Sequence, residues 1–143
     1  MMVETVKKVI AYVTKGDDLL VFEHRDFPEA GLQVPAGSLK EGETPEEAVL
    51  REVIEETGLE QVRIVRFLGR YSYDMAIYRP EVQDRFVFHV SFAGPAPSTW
   101  LHYENHDGKS EPTAFCLYWL KLDDPRLKLI SGQGDYLWKL RDV

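Results

Sequence analysis

A mixed α/β domain is predicted by three features of the sequence: β-rich runs broken by turn residues, one strongly capped helical segment, and a length suited to a single core. The chain has 143 residues, and single domains commonly hold about 100–200. Hydrophobic residues make up 44% and charged residues 29%, the balance of an ordinary globular protein. A chain of this size buries roughly two-thirds of its unfolded surface, so it needs neither disulfides nor zinc as staples. No repeat, low-complexity tract or linker interrupts it, and residues 1–143 read as one domain.

Taken in order, Val9 to Thr14 and Leu19 to His24 are β-rich runs around the turn cluster Lys15-Gly16-Asp17-Asp18, which predicts a first hairpin. A loop from Asp26 to Gly31 leads to Gln33-Val34-Pro35-Ala36-Gly37, where Pro35 lacks the N–H that a central strand would use. The clearest helix follows. Thr44 is a good N-cap, Pro45 takes the first helical position, Glu47 completes a capping box and Gly58 is a natural stop, so the helix should span Pro45 to Thr57. Val62 to Tyr73 is strand-like in part. In Arg85 to Phe92, the residues Phe86, Phe88, Val90 and Phe92 alternate with Arg85, His89 and Ser91, the pattern of a half-buried strand. Thr99 to Glu104 and Thr113 to Leu122 predict a second hairpin turning around Asp107-Gly108. Gln133 to Arg141 is expected to close the fold as a short helix that packs Leu137 and Leu140.

Charge and cysteine narrow the function. With 17 basic and 24 acidic residues the net charge is −7, which disfavours a nucleic-acid partner held by phosphate contacts. An anionic small molecule stays open, because a metal held by surplus carboxylates reverses the local field. No apolar run approaches the roughly 20 residues of a membrane helix, and Met1 to Lys8 reads into strand pattern rather than a signal peptide. The one cysteine, Cys116, excludes an intramolecular disulfide and a multi-cysteine zinc site, and suits the cytoplasm.

The helix carries the chemistry. On a wheel, Leu50 and Ile54 with Val53 beside them mark the expected core face, while Glu52, Glu55 and Glu56 gather within about 100° on the opposite side. Like charges at this spacing cost a few tenths of a kcal/mol per pair, roughly, and Arg51 offsets part of it. The plain reading is a solvated acidic face. The functional one is a divalent-cation site, since Mg²⁺ favours carboxylate oxygens and Glu52 and Glu56 can point at one ion.

The surrounding residues separate these readings. Gly37, five residues, Glu43, seven residues, Arg51-Glu52-Val53, one residue, Glu55-Glu56, one residue and Gly58-Leu59 resemble, at every specified position, the signature of the Nudix hydrolases. Nine such positions would coincide by chance on the order of once in 10⁷. The resemblance implies an α/β/α sandwich with a mixed β-sheet between helices, and Mg²⁺-dependent hydrolysis of a pyrophosphate bond in a nucleoside diphosphate linked to another moiety. It also implies that Mn²⁺ can substitute, that a homodimer is compatible with the fold, and that the partner is a small molecule rather than a membrane. Residue by residue, it implies Glu52 and Glu56 as metal ligands and Glu55 as a ligand or a positioner of the attacking water. Ala36 would offer its backbone carbonyl to the metal. Gly37 would let the loop fold tightly on the helix, Glu43 and Arg51 would tie that loop down, and Gly58 would end the helix.

The general base of such enzymes often lies downstream on a loop. Glu104, Asp107 and Glu111 flank the second turn, and Glu111 is favoured over Glu104. Arg25, at a strand end, could bind a substrate phosphate. His24 and His89 read as structural or surface residues, and Phe27, Tyr71, Tyr73 and Tyr78 as core aromatics with no assigned role. Gly108-Lys109-Ser110 fails as a phosphate loop because Tyr103 stands where the first glycine belongs. Two other readings remain: a sensing module that binds a nucleotide or metabolite without turnover, and an isomerase using Cys116. The identity of the group beyond the diphosphate is not legible in the loops.

Overall fold

The structure, a computed structural model, describes residues 3–140. Its strands are β1 (Glu4–Lys15), β2 (Asp18–His24), β3 (Ala36–Ser38), β4 (Val62–Asp74), β5 (Glu81–Phe92), β6 (Thr99–Glu104) and β7 (Thr113–Lys121), with one α-helix, α1 (Pro45–Thr57). All seven strands join one sheet in the order β4-β5-β1-β2-β7-β6, with β3 pairing on β1. Only the β1–β5 pairing is parallel among these strands, so the sheet is mixed as expected. Pro35 lies outside β3 and its carbonyl accepts the Ala11 N–H at 2.9 Å, so the missing proline N–H costs no ladder bond. Among the described residues no helix is long and apolar enough to cross a membrane.

Strand alternation divides the core in two. Val9, Ala11 and Val13 of β1 face α1 and pack with Val49 and Val53, while Ile10 and Tyr12 face the opposite side with Val21, Val34 and Leu140. The strand β5 serves both layers. Gln83, Arg85 and Val87 are buried on one face and Phe88, Val90 and Phe92 are buried further along, so Arg85 is not on a solvated face as the alternation suggested.

The second covering layer corrects another expectation. The segment from Gln133 does not form an α-helix; the only regular piece among its described residues is a 3₁₀ turn at Leu137–Leu140, and Arg141 lies outside them. Ser131 and Gly132, just before it, take positive φ of 50° and 68°, and successive tight turns follow, with the N–H groups of Asp135, Leu137 and Lys139 donating to the carbonyls of Gly132, Gly134 and Tyr136. Side chains then satisfy the backbone in place of a helical ladder. Tyr12 Oη donates to the Gln133 carbonyl at 2.6 Å and accepts the Tyr136 N–H at 3.2 Å, and the Gln133 side chain accepts the Val34 N–H at 3.0 Å. Leu137 and Leu140 still pack on the sheet, as expected.

Helix α1 spans the expected residues, with both capping-box hydrogen bonds and Gly58 at φ 76°. Its buried face is rotated from the one the wheel suggested. Val53 is fully buried and Leu50 packs partly on the core as expected, but Ile54 is 41% exposed, and Ala48, Val49, Glu52 and Glu56 lie on the buried side. Small apolar side chains let the helix approach the sheet, and that approach encloses the two glutamates between α1 and β3. Val53→Ala should therefore lower the unfolding free energy by about 2 kcal/mol, and Ile54→Ala by under about 1 kcal/mol, in urea denaturation.

Candidate active site

The site is assembled from a strand edge, a helix and the end of β6. Glu52 and Glu56 are each only 7% exposed. The backbone N–H of Ala36 donates to Glu56 Oε1 at 2.8 Å, and a side chain at Gly37 would overlap the Glu52 carboxylate. Gly37 is thus required for close approach of β3 to the helix rather than for an unusual φ.

Arg51 organises the rim. Its Nε and Nη2 donate to Glu43 at 2.7 and 2.9 Å, Nη2 also to the Ser38 carbonyl at 2.9 Å, and Nη1 to Glu52 and Glu55 at 2.9 and 3.1 Å. A planar fork with five donors suits this task, which a lysine could not perform. The Arg51 hydrogen bonds hold the Glu43 carboxyl down at about 2. Glu43 in turn accepts the Lys40 N–H at 2.9 Å, so the loop before α1 is tied to the helix.

The strand β6 delivers a fourth acid. Its alternation turns Trp100, His102 and Glu104 towards α1. Trp100 Nε1 donates to the Thr57 carbonyl at 2.9 Å, and His102 Nε2 lies 2.8 Å from the Glu55 carbonyl, two groups that have no partner within the helix. Glu104, the next residue on that face, joins Glu52 and Glu55 in a cluster whose carboxylate oxygens lie within 4.8 Å of one another. The cleft they line, about 400 Å³, also includes Ala36, Gly37 and Glu56. Burial pushes Glu52 up to about 7, with repulsion from Glu55 and Glu104 adding to it and the Arg51 hydrogen bond opposing. Glu56 is raised well above its ordinary value, first by burial and then by the charges of Glu52 and Glu104. Buried acids of this kind, clustered in a cleft, mark a functional site and suit a hard cation with oxygen ligands.

The remaining expected residues fall elsewhere. Glu111 is exposed and outside the residues lining the acidic cleft, so among the described residues the downstream acid that the fold brings in is Glu104. The Asp107 side chain lies outside the described residues. Arg25 is bound to Asp26 at 3.1 Å and to Tyr103 Oη at 2.9 Å, also outside the cleft. His89 bonds Thr14 Oγ1 at 2.8 Å, and His24 sits edge-on to Phe115, both structural. Phe27 and Tyr78 are 58% and 61% exposed rather than core, while Tyr73 lies against the guanidinium of Arg85. Cys116 is a free, half-buried thiol in β7, away from the cleft. Lys8 and Arg85 had no place in the sequence reading of the site, although they line a second cavity that shares Ala36 and Gly37 with the cleft. Their cross-strand pairing, which no single segment reveals, was the missing signal.

Comparison with known proteins gives this geometry a context. The model of the NUDIX domain matches residues 5–137. A stretch of 67 residues is 39% identical to the RNA pyrophosphohydrolase of Gluconobacter oxydans (strain 621H), covering 46% of this chain and 39% of that relative's length. Among solved structures, a NUDIX hydrolase from Nitrosomonas europaea superposes with a TM-score of 0.68 at 23% identity, covering 96% of this chain and 90% of the other. A UDP-X diphosphatase superposes with a TM-score of 0.67 at 17% identity, covering 99% of this chain and 65% of the other. At these identities the structures show a common fold.

The raised acids make stability depend on pH with a definite sign. Glu52 titrates near 4.5 when unfolded and at about 7 when folded, so the folded state binds the proton more tightly. Its contribution is full below about 4.5 and is lost as pH rises through about 7. In thermal melts with chelator present, the wild type should lose stability from pH 5 to pH 8. Glu52→Gln should flatten that slope and melt above the wild type at pH 8.

Proposed function

This chain belongs to the Nudix family, and on that premise we propose that it hydrolyses a pyrophosphate bond in a nucleoside diphosphate linked to another moiety. The observation that carries the reading is the burial of Glu52 and Glu56 against β3, with Glu52, Glu55 and Glu104 forming an all-oxygen cluster in the cleft that Glu56 also lines. Burying two carboxylates is costly, and Arg51, the cation that touches Glu52, is shared with Glu43 and Glu55. A cation site explains the arrangement. The relatives named as a pyrophosphohydrolase and a diphosphatase support the same reaction class.

Mg²⁺ fits the donor set, with Mn²⁺ able to replace it. Glu52 and Glu56 would hold the metal, with Glu55 and the Ala36 backbone carbonyl as further ligands. When bound, it supplies charge neutralisation on the phosphoryl oxygens and polarises the attacking water. The chain's own groups do the rest. Arg51 fixes Glu52 and Glu55 in position, and the Ala36 N–H orients Glu56. Glu104, in place of Glu111, takes the proton as the water oxygen bonds to phosphorus and the bridging P–O bond breaks. The departing phosphate keeps the electron pair of that bond. A small substrate is favoured by the net charge of −7, and the free thiol of Cys116 supports a reducing, cytoplasmic setting.

The test is product release from a panel of nucleoside-diphosphate derivatives, with Mg²⁺ and with EDTA. Turnover should vanish in chelator. Glu55→Gln and Glu56→Gln should each lower kcat by about 10² or more while the melting transition stays cooperative. Rates like the wild type in both variants would overturn the assignment, and binding without turnover would support the sensing alternative.

A further inference from the structure

Across β3 from the acidic cleft lies a cavity of about 220 Å³. Its wall contains two cations placed side by side. Lys8 of β1 and Arg85 of β5 are register partners in the parallel pair, so their side chains leave the same face of the sheet. Like charges directly opposite on a sheet are destabilising, and Arg85 is only 3% exposed. A carboxylate would ordinarily relieve such a pair, yet Arg85 makes no carboxylate contact among the described residues. Its Nε donates to Gln83 at 2.9 Å and its Nη1 to Tyr71 Oη and the Ser131 carbonyl at 3.1 and 2.6 Å, all neutral acceptors. Its Nη2 meets only the Met75 thioether, at 3.9 Å, which is a weak acceptor. The Lys8 side chain makes no hydrogen bond or ion pair among the described residues; burial lowers its affinity for a proton, opposed at longer range by the charges of Glu81, Glu52 and Glu56. Glu81, the nearby acid, is engaged by Arg79 at 3.2 Å and by Gln83 at 2.8 Å.

Other groups lining the cavity are donors too. Gln133 has spent its side-chain oxygen on Val34, which leaves its amide nitrogen to donate, and Arg79, ion-paired with Glu81, borders the cavity with its remaining N–H groups. The inventory is rich in N–H groups and poor in acceptors, and an oxyanion complements it. The cavity and the acidic cleft share Ala36 and Gly37 as a common wall, so one extended molecule can reach both.

We propose that this cavity receives a phosphate carried by the substrate beyond the scissile diphosphate, so that polyphosphates such as nucleoside triphosphates are preferred over nucleotide sugars whose second moiety is uncharged. The proposal rests on the hydrolase reading above and names its substrate class. Lys8 and Arg85 would bind the phosphate as a pair, the ligand supplying the direct anionic contact that neither side chain makes among the described residues.

Three measurements decide it. Metal-free protein in chelator should bind inorganic triphosphate in calorimetry, and Lys8→Met should weaken that binding tenfold or more, with Arg79→Ala as a second, exposed variant acting in the same direction. Equal binding by both variants and the wild type would overturn the proposal. With Mg²⁺, kcat/KM should be at least tenfold higher for a nucleoside triphosphate than for a nucleoside diphosphate sugar, and Lys8→Met should remove that preference by raising KM for the triphosphate alone. A preference for the sugar, or equal loss on both substrates, would overturn it. The melting temperature of Lys8→Met should stay level or rise, because the variant relieves like-charge repulsion; a large fall would mark Lys8 as structural and count against the proposal. Were neither substrate hydrolysed, the hydrolase reading would fail, while calorimetry would still decide what the cavity binds.

Discussion

The close approach of α1 to β3 is the contact on which the rest of the site depends. It requires a residue without a side chain at Gly37, because the Glu52 carboxylate occupies the space a Cβ would take. It also supplies a backbone donor, the Ala36 N–H, to a carboxylate withdrawn from water. From that contact follow the raised proton affinities of Glu52 and Glu56 and the opening of two cavities on either side of one short strand. Arg51 makes the arrangement tolerable by distributing one cation over Glu43, Glu52 and Glu55. Truncating one buried partner in such a network leaves the others uncompensated, so these residues act as a unit.

The sheet has to serve two purposes at once. Its α1 side is an apolar core continuous from β1 to β7. Its other side is apolar towards one end and carries buried polar groups towards the other, where Gln83 and Arg85 precede Val87 on the same strand. A helix lying over that second face would bring apolar side chains and fill the space. The irregular chain from Ser131 instead offers backbone carbonyls to Arg85 and to Tyr71, through Ser131 and Gly132. The loss of regular structure there is matched to the polarity of what it covers.

Much of this was legible in sequence. Local signals placed α1 to the residue, since capping geometry depends on Thr44, Glu47 and Gly58 and on little else. The spacing from Gly37 to Leu59 identified the acids that the fold brings together. The direction in which α1 leans was not legible, because a wheel ranks faces by hydrophobicity whereas Glu52 and Glu56 are buried by contact with a strand edge. The same limit applied to Glu104 and to the Lys8–Arg85 pair. The first is positioned by strand β6 against a helix end 47 residues earlier in the case of its neighbour His102, and the second by a pairing between strands far apart in the chain. Glu111 looked equivalent to Glu104 in sequence because turn carboxylates differ only in which way the strand before them faces.

That strand has a consequence for how such a protein can diversify. Trp100 and His102 fasten β6 to carbonyls at the end of α1, so the backbone that carries Glu104 is held from behind, while His106 of the segment that follows approaches its carboxylate at 3.8 Å. Residues 105–112 hang from two paired strands, and His106 and Lys109 of that segment line the cleft. Exchanges in that segment would alter what enters the cleft, and at His106 the surroundings of the acid, while the strand backbone stays in register. The scaffold therefore separates the part of the molecule that evolution can rewrite from the ladder and helix end that it must keep.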